Sequence, residues 1–164
     1  MSFPTYYVKD VLAVTPQWMK EHKKKAVILD LDNTILPRDN PVLAEEVVLW
    51  VEELKAAGIQ VCFVSNAWMG RVIPFAKQLG IRYVDHAIKP LPPAFLLGLW
   101  KCRAWPWQGV VVGDQIFTDV LGGTLLLMTT VMVLPLAEHD LKHTLMLRKL
   151  EKLIIRGRKP LETL

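Results

Sequence analysis

AVILDLDNT, residues 26–34, runs from unbroken apolar chain into Asp30, Leu31, Asp32, Asn33 and Thr34. The short run Val27–Leu31, ended by acids and an amide, has the pattern of a strand buried on both faces, as in a parallel sheet. Acids that close such a strand are costly beside a core unless a cation or hydrogen-bond donors compensate them, so solvated loop acids are the weaker reading.

The pattern recurs outward from this stretch. Ile59–Val64 precedes Ser65 and Asn66, Val110–Val112 precedes Gly113 and Asp114, and Thr130–Leu134 is a fourth run. Helix-like segments separate them. Pro41–Ala57 carries Val47, Val48, Val51 and Leu54 at helical spacing and ends at Gly58; Val72–Leu79 ends at Gly80, with Pro74 in its first turn. Pro93–Cys102 reads as a third helix, and a fourth begins over Thr118–Leu127. Four runs with helical crossovers predict a doubly wound, three-layer α/β/α parallel sheet, with its site at the C-terminal strand ends.

The chain has 164 residues, 52% of them apolar, enough for one domain over 1–164. Its repeating core is expected over 25–136, with the N-terminal segment 1–24 and an amphipathic helix at about 140–156 packed on it. That helix has a stripe of Leu141, Leu145, Leu147, Leu150, Leu153 and Ile154 beside His143, Arg148, Lys149 and Lys152. Its default role is packing; lying at a membrane surface or pairing with a partner is the sharper one. The net charge of +4 is concentrated in Lys20–Lys25 and Arg148–Lys159, clusters that suit a solvated face, a phosphate-binding patch or anionic lipid. No nucleic-acid partner is expected.

Cys62 and Cys102 have neither disulfide-framework nor zinc-site spacing, so both read as reduced thiols in a cytoplasmic-type compartment. The first twenty residues lack the continuous apolar stretch of a secretory signal, and Val120–Leu136 reads as a helix and a buried strand rather than a membrane span. The histidines His22, His86, His139 and His143 read as surface residues. Trp100, Trp105 and Trp107 read as core packing rather than an interfacial anchor, and Trp68 should stand near the site mouth.

In a parallel sheet the strand ends converge on one rim. There Asp30 could attack phosphorus as a nucleophile, and Asp32 could protonate the leaving oxygen and later deprotonate water. Attack by an anion on a phosphate dianion needs a hard divalent cation with oxygen ligands, Mg2+, supplied by Asp30, Asp114 and the Asp32 carbonyl, with Asp119 behind them or as an alternative ligand. Lys89 offers a fixed positive charge; Thr34, Ser65, Asn66 and Lys89 are the candidates for binding the substrate phosphate.

Asp30-x-Asp32-x-Thr34, Ser65, Lys89, and Gly113-Asp114 followed by Asp119 resemble the four motifs of the haloacid dehalogenase (HAD) superfamily, in order, over about residues 25–136. Aspartate at position 32 resembles its phosphatase branch. DLDNTI, SNA and GDQIFTDVLGG look like the small subclass III phosphatases that include relatives of phosphatidylglycerophosphate phosphatase. The resemblance implies a HAD-like Rossmannoid fold, an aspartyl-phosphate intermediate and a phosphomonoester substrate, with a phospholipid at the inner face of a membrane as one candidate. Many members follow the paired glycines with Asn-Arg where this chain has Thr124-Leu125, so the role of that arginine is vacant here. Only 32 residues separate Asp32 from Ser65 and 23 separate Ser65 from Lys89, too few for a cap domain. The site should be open, favouring a lipid head group or phosphoprotein over a small sugar phosphate. A soluble nucleotide or phosphoprotein phosphatase, and a binding module docking on an anionic partner, are the alternatives; an oligomer is compatible with the sequence.

Overall fold

The computed structural model describes residues 3–37, 40–68, 70–136, 149–155 and 157–164. Six strands form one parallel sheet: β1 (Tyr6–Val8), β2 (Ala26–Leu29), β3 (Gln60–Val64), β4 (Arg82–Val84), β5 (Gly109–Gly113) and β6 (Thr129–Val133), in the spatial order β1-β6-β5-β2-β3-β4. Side chains alternate along each strand, and the alternation assigns them to two cores. Val27, Leu29, Val61, Phe63, Val110 and Val112 face one; Ala26, Ile28, Cys62, Val64 and Val111 face the other.

The first face is covered by α1 (Pro16–Glu21), α2 (Glu45–Ala56) and α3 (Val72–Leu79), through Trp18, Met19, Trp50, Val51, Leu54, Ala76 and Leu79. The second is covered by α4 (Pro92–Lys101) through Ala94, Phe95 and Leu99. In α5 (Leu121–Leu125), a side chain at Gly122 would collide with the Phe95 ring and one at Gly123 with Val111 and Thr130, so the paired glycines let α5 pack on both α4 and the sheet. Travel runs from β2 out to β4, then returns through α4 to β5 on the other side of β2. This reversal between β2 and β5 is where a doubly wound sheet opens a crevice at its C-terminal rim.

Most expected elements appear near their sequence bounds. Gly80 closes α3 in the left-handed conformation (φ 62°), with the Ile81 N–H bonding the Ala76 carbonyl at 3.0 Å. The start of α2 differs: it begins at Glu45 rather than Pro41, because Leu43 is buried and Ala44 is extended (ψ 143°). The N-terminal segment was expected outside the sheet. Instead β1 is its edge strand, paired with β6, and Leu161 bonds the outer edge of β1 through Tyr7 and Lys9. The three-residue β4, with only Val84 buried, is too short to have a legible pattern.

Both cysteines are free and buried. The tryptophan expectation is overturned: Trp100, Trp105 and Trp107 are 75%, 64% and 63% exposed. The inward positions of α4 are taken by Ala94, Phe95, Gly98 and Leu99, which turns Trp100 outward, and Trp105 and Trp107 stack on each other at 5.4 Å around the turn Pro106–Gln108. His22 and His86 are exposed as expected; His139 and His143 lie outside the described residues. Of the C-terminal helix, 140–148 and 156 also lie outside them, and 149–154 are helical. There the expected facing is reversed, with Glu151 buried and Leu150, Leu153 and Ile154 exposed. No helix of the described residues is long and apolar enough to cross a membrane.

Candidate active site

The strand β2 continues its pairing past its end, with the Asp30 N–H bonding the Val112 carbonyl of β5 at 2.9 Å. The chain then wraps around one acceptor: the N–H groups of Thr34, Ile35 and Leu36 all point at the Leu31 carbonyl, at 3.3, 3.1 and 3.1 Å. Asn33 makes the turn in the left-handed region (φ 62°), which asparagine tolerates better than most residues. The loop returns Thr34 toward the strand end, its Oγ1 3.4 Å from Asp30 Oδ2 and 3.5 Å from Asp114 Oδ1.

Asp114 follows β5 and is fully buried. Asp119 is carried by a π-helical turn, Ile116–Val120. Its Oδ2 accepts from the Gln115 N–H at 3.3 Å and the Thr118 hydroxyl at 3.2 Å. Gly113 is required here, because any Cβ at that position would collide with the Asp119 carboxyl. Oxygens of Asp30, Asp114 and Asp119 lie within 4.8 Å of one another, the one such group among the described residues.

Lys89 enters this group from the loop after β4. Its Nζ donates to Asp30 Oδ1 and to Asp119 Oδ1, both at 2.6 Å, and its side chain is 3% exposed. The loop is held by Asn66, whose Oδ1 accepts from the Lys89 N–H at 2.7 Å and whose Nδ2 donates to the Lys89 carbonyl at 3.3 Å. His86 and Ile88 are both left-handed (φ 50° and 51°), a conformation costly for β-branched Ile88 and typical of loops held by their surroundings. The Ser65 Oγ accepts from the Ala67 N–H at 3.1 Å, which leaves the hydroxyl proton to donate.

Among the described residues, the three carboxylates of this group meet one ammonium, that of Lys89, which is bonded to Asp30 and Asp119. Burial pushes the Asp119 carboxyl up to about 6, the charge of Asp30 adds to this, and Lys89 opposes it. Burial alone would lower Lys89, but the charges of Asp119 and Asp30 outweigh it and hold the ammonium above the ordinary lysine range. An all-oxygen donor set of three carboxylates this close together fits a hard divalent cation.

The sequence-predicted residues Asp30, Thr34, Lys89, Asp114 and Asp119 thus converge, with Ser65 and Asn66 on the adjoining loop. The Asp32 carboxylate does not join the oxygen group. It faces Arg71, whose Nε donates to Asp32 Oδ1 at 2.9 Å. Arg71 and Glu151 were not found by sequence reasoning. Glu151, the buried residue of the C-terminal helical segment 149–154, accepts from the Ile116 N–H at 2.7 Å and so anchors the turn that carries Asp119. Trp68 stands exposed beyond Ser65, edge-on to His86 at 5.4 Å, near the mouth as expected.

The chain matches no family model. It is 38% identical over 152 residues to Probable phosphatase YqeG of Bacillus subtilis (strain 168), covering 93% of this chain and 88% of that protein. Its fold is similar to the cobalt-bound deoxy-D-mannose-octulosonate 8-phosphate phosphatase YrbI of Haemophilus influenzae (TM-score 0.57, 16% identity, 84% of this chain and 90% of that one). It also resembles a HAD phosphatase from Thermococcus onnurineus (TM-score 0.51, 21% identity, 61% of this chain and 50% of that one).

Proposed function

The chain belongs to the family of Probable phosphatase YqeG, and from that premise we propose that it is a HAD-type phosphatase that hydrolyses phosphate monoesters with Mg2+ through an aspartyl-phosphate on Asp30. The observation that carries the reading is the meeting of Asp30, Asp114, Asp119 and Lys89 at the adjoining ends of β2 and β5. Asp30, Asp114 and the Asp32 carbonyl would hold the ion, with Asp119 behind them or as a further ligand. Bound there, the ion supplies positive charge that offsets repulsion between the nucleophile and the phosphate.

Asp30 attacks phosphorus and forms an acyl-phosphate bond as the ester P–O bond breaks. Asp32 gives its proton to the leaving oxygen, then takes one from the water that attacks the intermediate, releasing phosphate and restoring Asp30. Lys89 steadies Asp30 and the phosphoryl oxygens. Thr34 and Ser65 donate hydroxyls toward the phosphate, while Asn66 acts through the Lys89 loop it grips. Residues 1–164 work as one catalytic unit.

For the substrate we favour a phospholipid monoester such as phosphatidylglycerophosphate, met at a membrane surface. Three features support this. Among the described residues, the interval from Asp32 to Ser65 holds α2 and β3 and that from Ser65 to Lys89 holds α3 and β4, intervals too short to add a cap domain. Trp68, Ile88 and Leu91 stand exposed around Ser65 and Lys89. Leu150, Leu153 and Ile154 are exposed beside Lys149 and Lys152 on the segment that Glu151 ties to the turn after Asp114. Exposed apolar side chains with lysines suit an anionic bilayer.

The test is phosphate release from para-nitrophenyl phosphate and from phosphatidylglycerophosphate in mixed micelles, with Mg2+ or EDTA. Asp30→Asn should lower turnover on the order of 10⁴-fold and EDTA should abolish it. Release that survives either change sinks the mechanism; release from the soluble ester alone sinks the lipid assignment.

A further inference from the structure

Among the described residues, Lys89 and Arg71 are two cations at the site, and they are differently committed. Lys89 is buried and spends two of its three donors on carboxylates. Arg71 opens α3 six residues after Ser65, and its side chain is 38% exposed. Among the described residues its one side-chain hydrogen bond runs from Nε to Asp32 Oδ1. The four N–H groups on Nη1 and Nη2 therefore have no protein acceptor among those residues. A guanidinium oriented through Nε presents its outer nitrogens as a rigid fork, the geometry that pairs with two oxygens of one anion.

Asp32 sets the direction. In the reaction proposed above, on which this inference rests, Asp32 protonates the leaving oxygen and so stands on the alcohol side of the reacting phosphate. Whatever Arg71 grips belongs to that alcohol half. We infer that Arg71 is a specificity-determining residue that binds a second oxyanion on the alcohol portion of the substrate, selecting phosphomonoesters whose leaving group carries a phosphodiester or carboxylate. The Asp32 contact holds the side chain in place when the site is empty. Arginine suits the task better than lysine, because its charge is permanent and its donors are planar.

The experiment compares soluble substrates that share a glycerol frame: glycerol 3-phosphate, without a second oxyanion; 3-phosphoglycerate, with a carboxylate; and glycerophosphoglycerophosphate, with a phosphodiester. Each is assayed with wild type, Arg71→Met, Arg71→Lys and Asp30→Asn. Wild type should prefer at least one of the substrates with a second oxyanion over glycerol 3-phosphate, and the preferred one identifies the oxyanion. Arg71→Met should reduce that kcat/KM ratio by roughly 10- to 100-fold, as expected for a lost charged hydrogen-bonding pair, chiefly through KM. Arg71→Lys should restore only part of it. A common loss from altered folding or a displaced Asp32 cancels in the ratio. An unchanged ratio in Arg71→Met, or a wild type without preference, overturns the inference while Asp30-dependent release keeps the phosphatase mechanism. Absence of Asp30-dependent release from every substrate sinks both.

Discussion

The two ends of the central strands solve opposite problems with the same sheet. At the C-terminal end, β2 and β5 run into Asp30 and Asp114, and the buried Lys89 and Asp119 close the group, with Lys89 Nζ 2.6 Å from both Asp30 and Asp119. At the N-terminal end, Lys25 bonds Gln108 just before β2 and β5 begin, Lys24 Nζ donates to the Trp107 carbonyl at 2.8 Å, and the stacked pair Trp105–Trp107 faces solvent. Charge is buried where it has partners, and apolar rings are exposed where they need none. An indole left in water forgoes only its own area of burial, on the order of 25 cal/mol per Å². A carboxylate left alone in a core costs several kcal/mol. Substitutions at the first end should therefore be large and coupled, and those at the second small and independent.

Lys89→Met should make the largest difference. Removing one partner of a buried ion pair costs about 3–5 kcal/mol, and here two carboxylates lose the same ammonium. Chemical denaturation at pH 7 without metal should show this loss, and it should shrink as pH falls through about 6, where Asp119 takes up a proton. The sign follows from the direction of the shifts. The folded-state value of Asp119 is raised, so its contribution is fully present below the ordinary value of 3.8 and is lost as pH rises through about 6. Lys89 is also raised, so its contribution persists to its ordinary 10.5 and fades only above that. Added Mg2+ should stabilise wild type more above about pH 6 than below it, where Asp119 has taken up a proton. A loss in Lys89→Met that is independent of pH would break the contrast between the ends.

Glu151→Ala should have an intermediate effect. It leaves the Ile116 N–H without that acceptor, a cost of about 1–3 kcal/mol for a buried group. Because this turn carries Asp119, phosphatase activity should fall together with the thermal midpoint; a midpoint shift with unchanged kcat/KM would confine Glu151 to packing. The smallest effect belongs to the other end. Trp105→Ser with Trp107→Ser should leave stability within about 0.5 kcal/mol per site and leave turnover of para-nitrophenyl phosphate unchanged. A large loss would show that the two ends are coupled through β5.

Much of this was legible because it is local. Val27–Leu31 followed by acids, and Gly80 after Leu79, are patterns a few residues long, set by side-chain alternation and helix-end geometry. The strands too short to alternate, β1 and β4, carried no such pattern. Trp105 and Trp107 were misjudged because composition records how apolar a residue is, whereas exposure depends on which neighbours already fill the core, here Phe95 and Leu99.

The sequence by itself determined the parallel sheet and the strand ends that carry Asp30, Asp32, Ser65 and Asp114, because periodicity and strand-end position follow from the backbone of each segment alone; Lys89 and Asp119 were legible through their motifs. Only the tertiary structure decided that Asp32 faces Arg71, that Asn66 grips the Lys89 loop and that Glu151 anchors the turn after Asp114. Those contacts join residues 23 to 39 positions apart. At such separations no local preference selects the partner; the packing of helices on the sheet brings the groups together, and burial then makes each contact costly to lose.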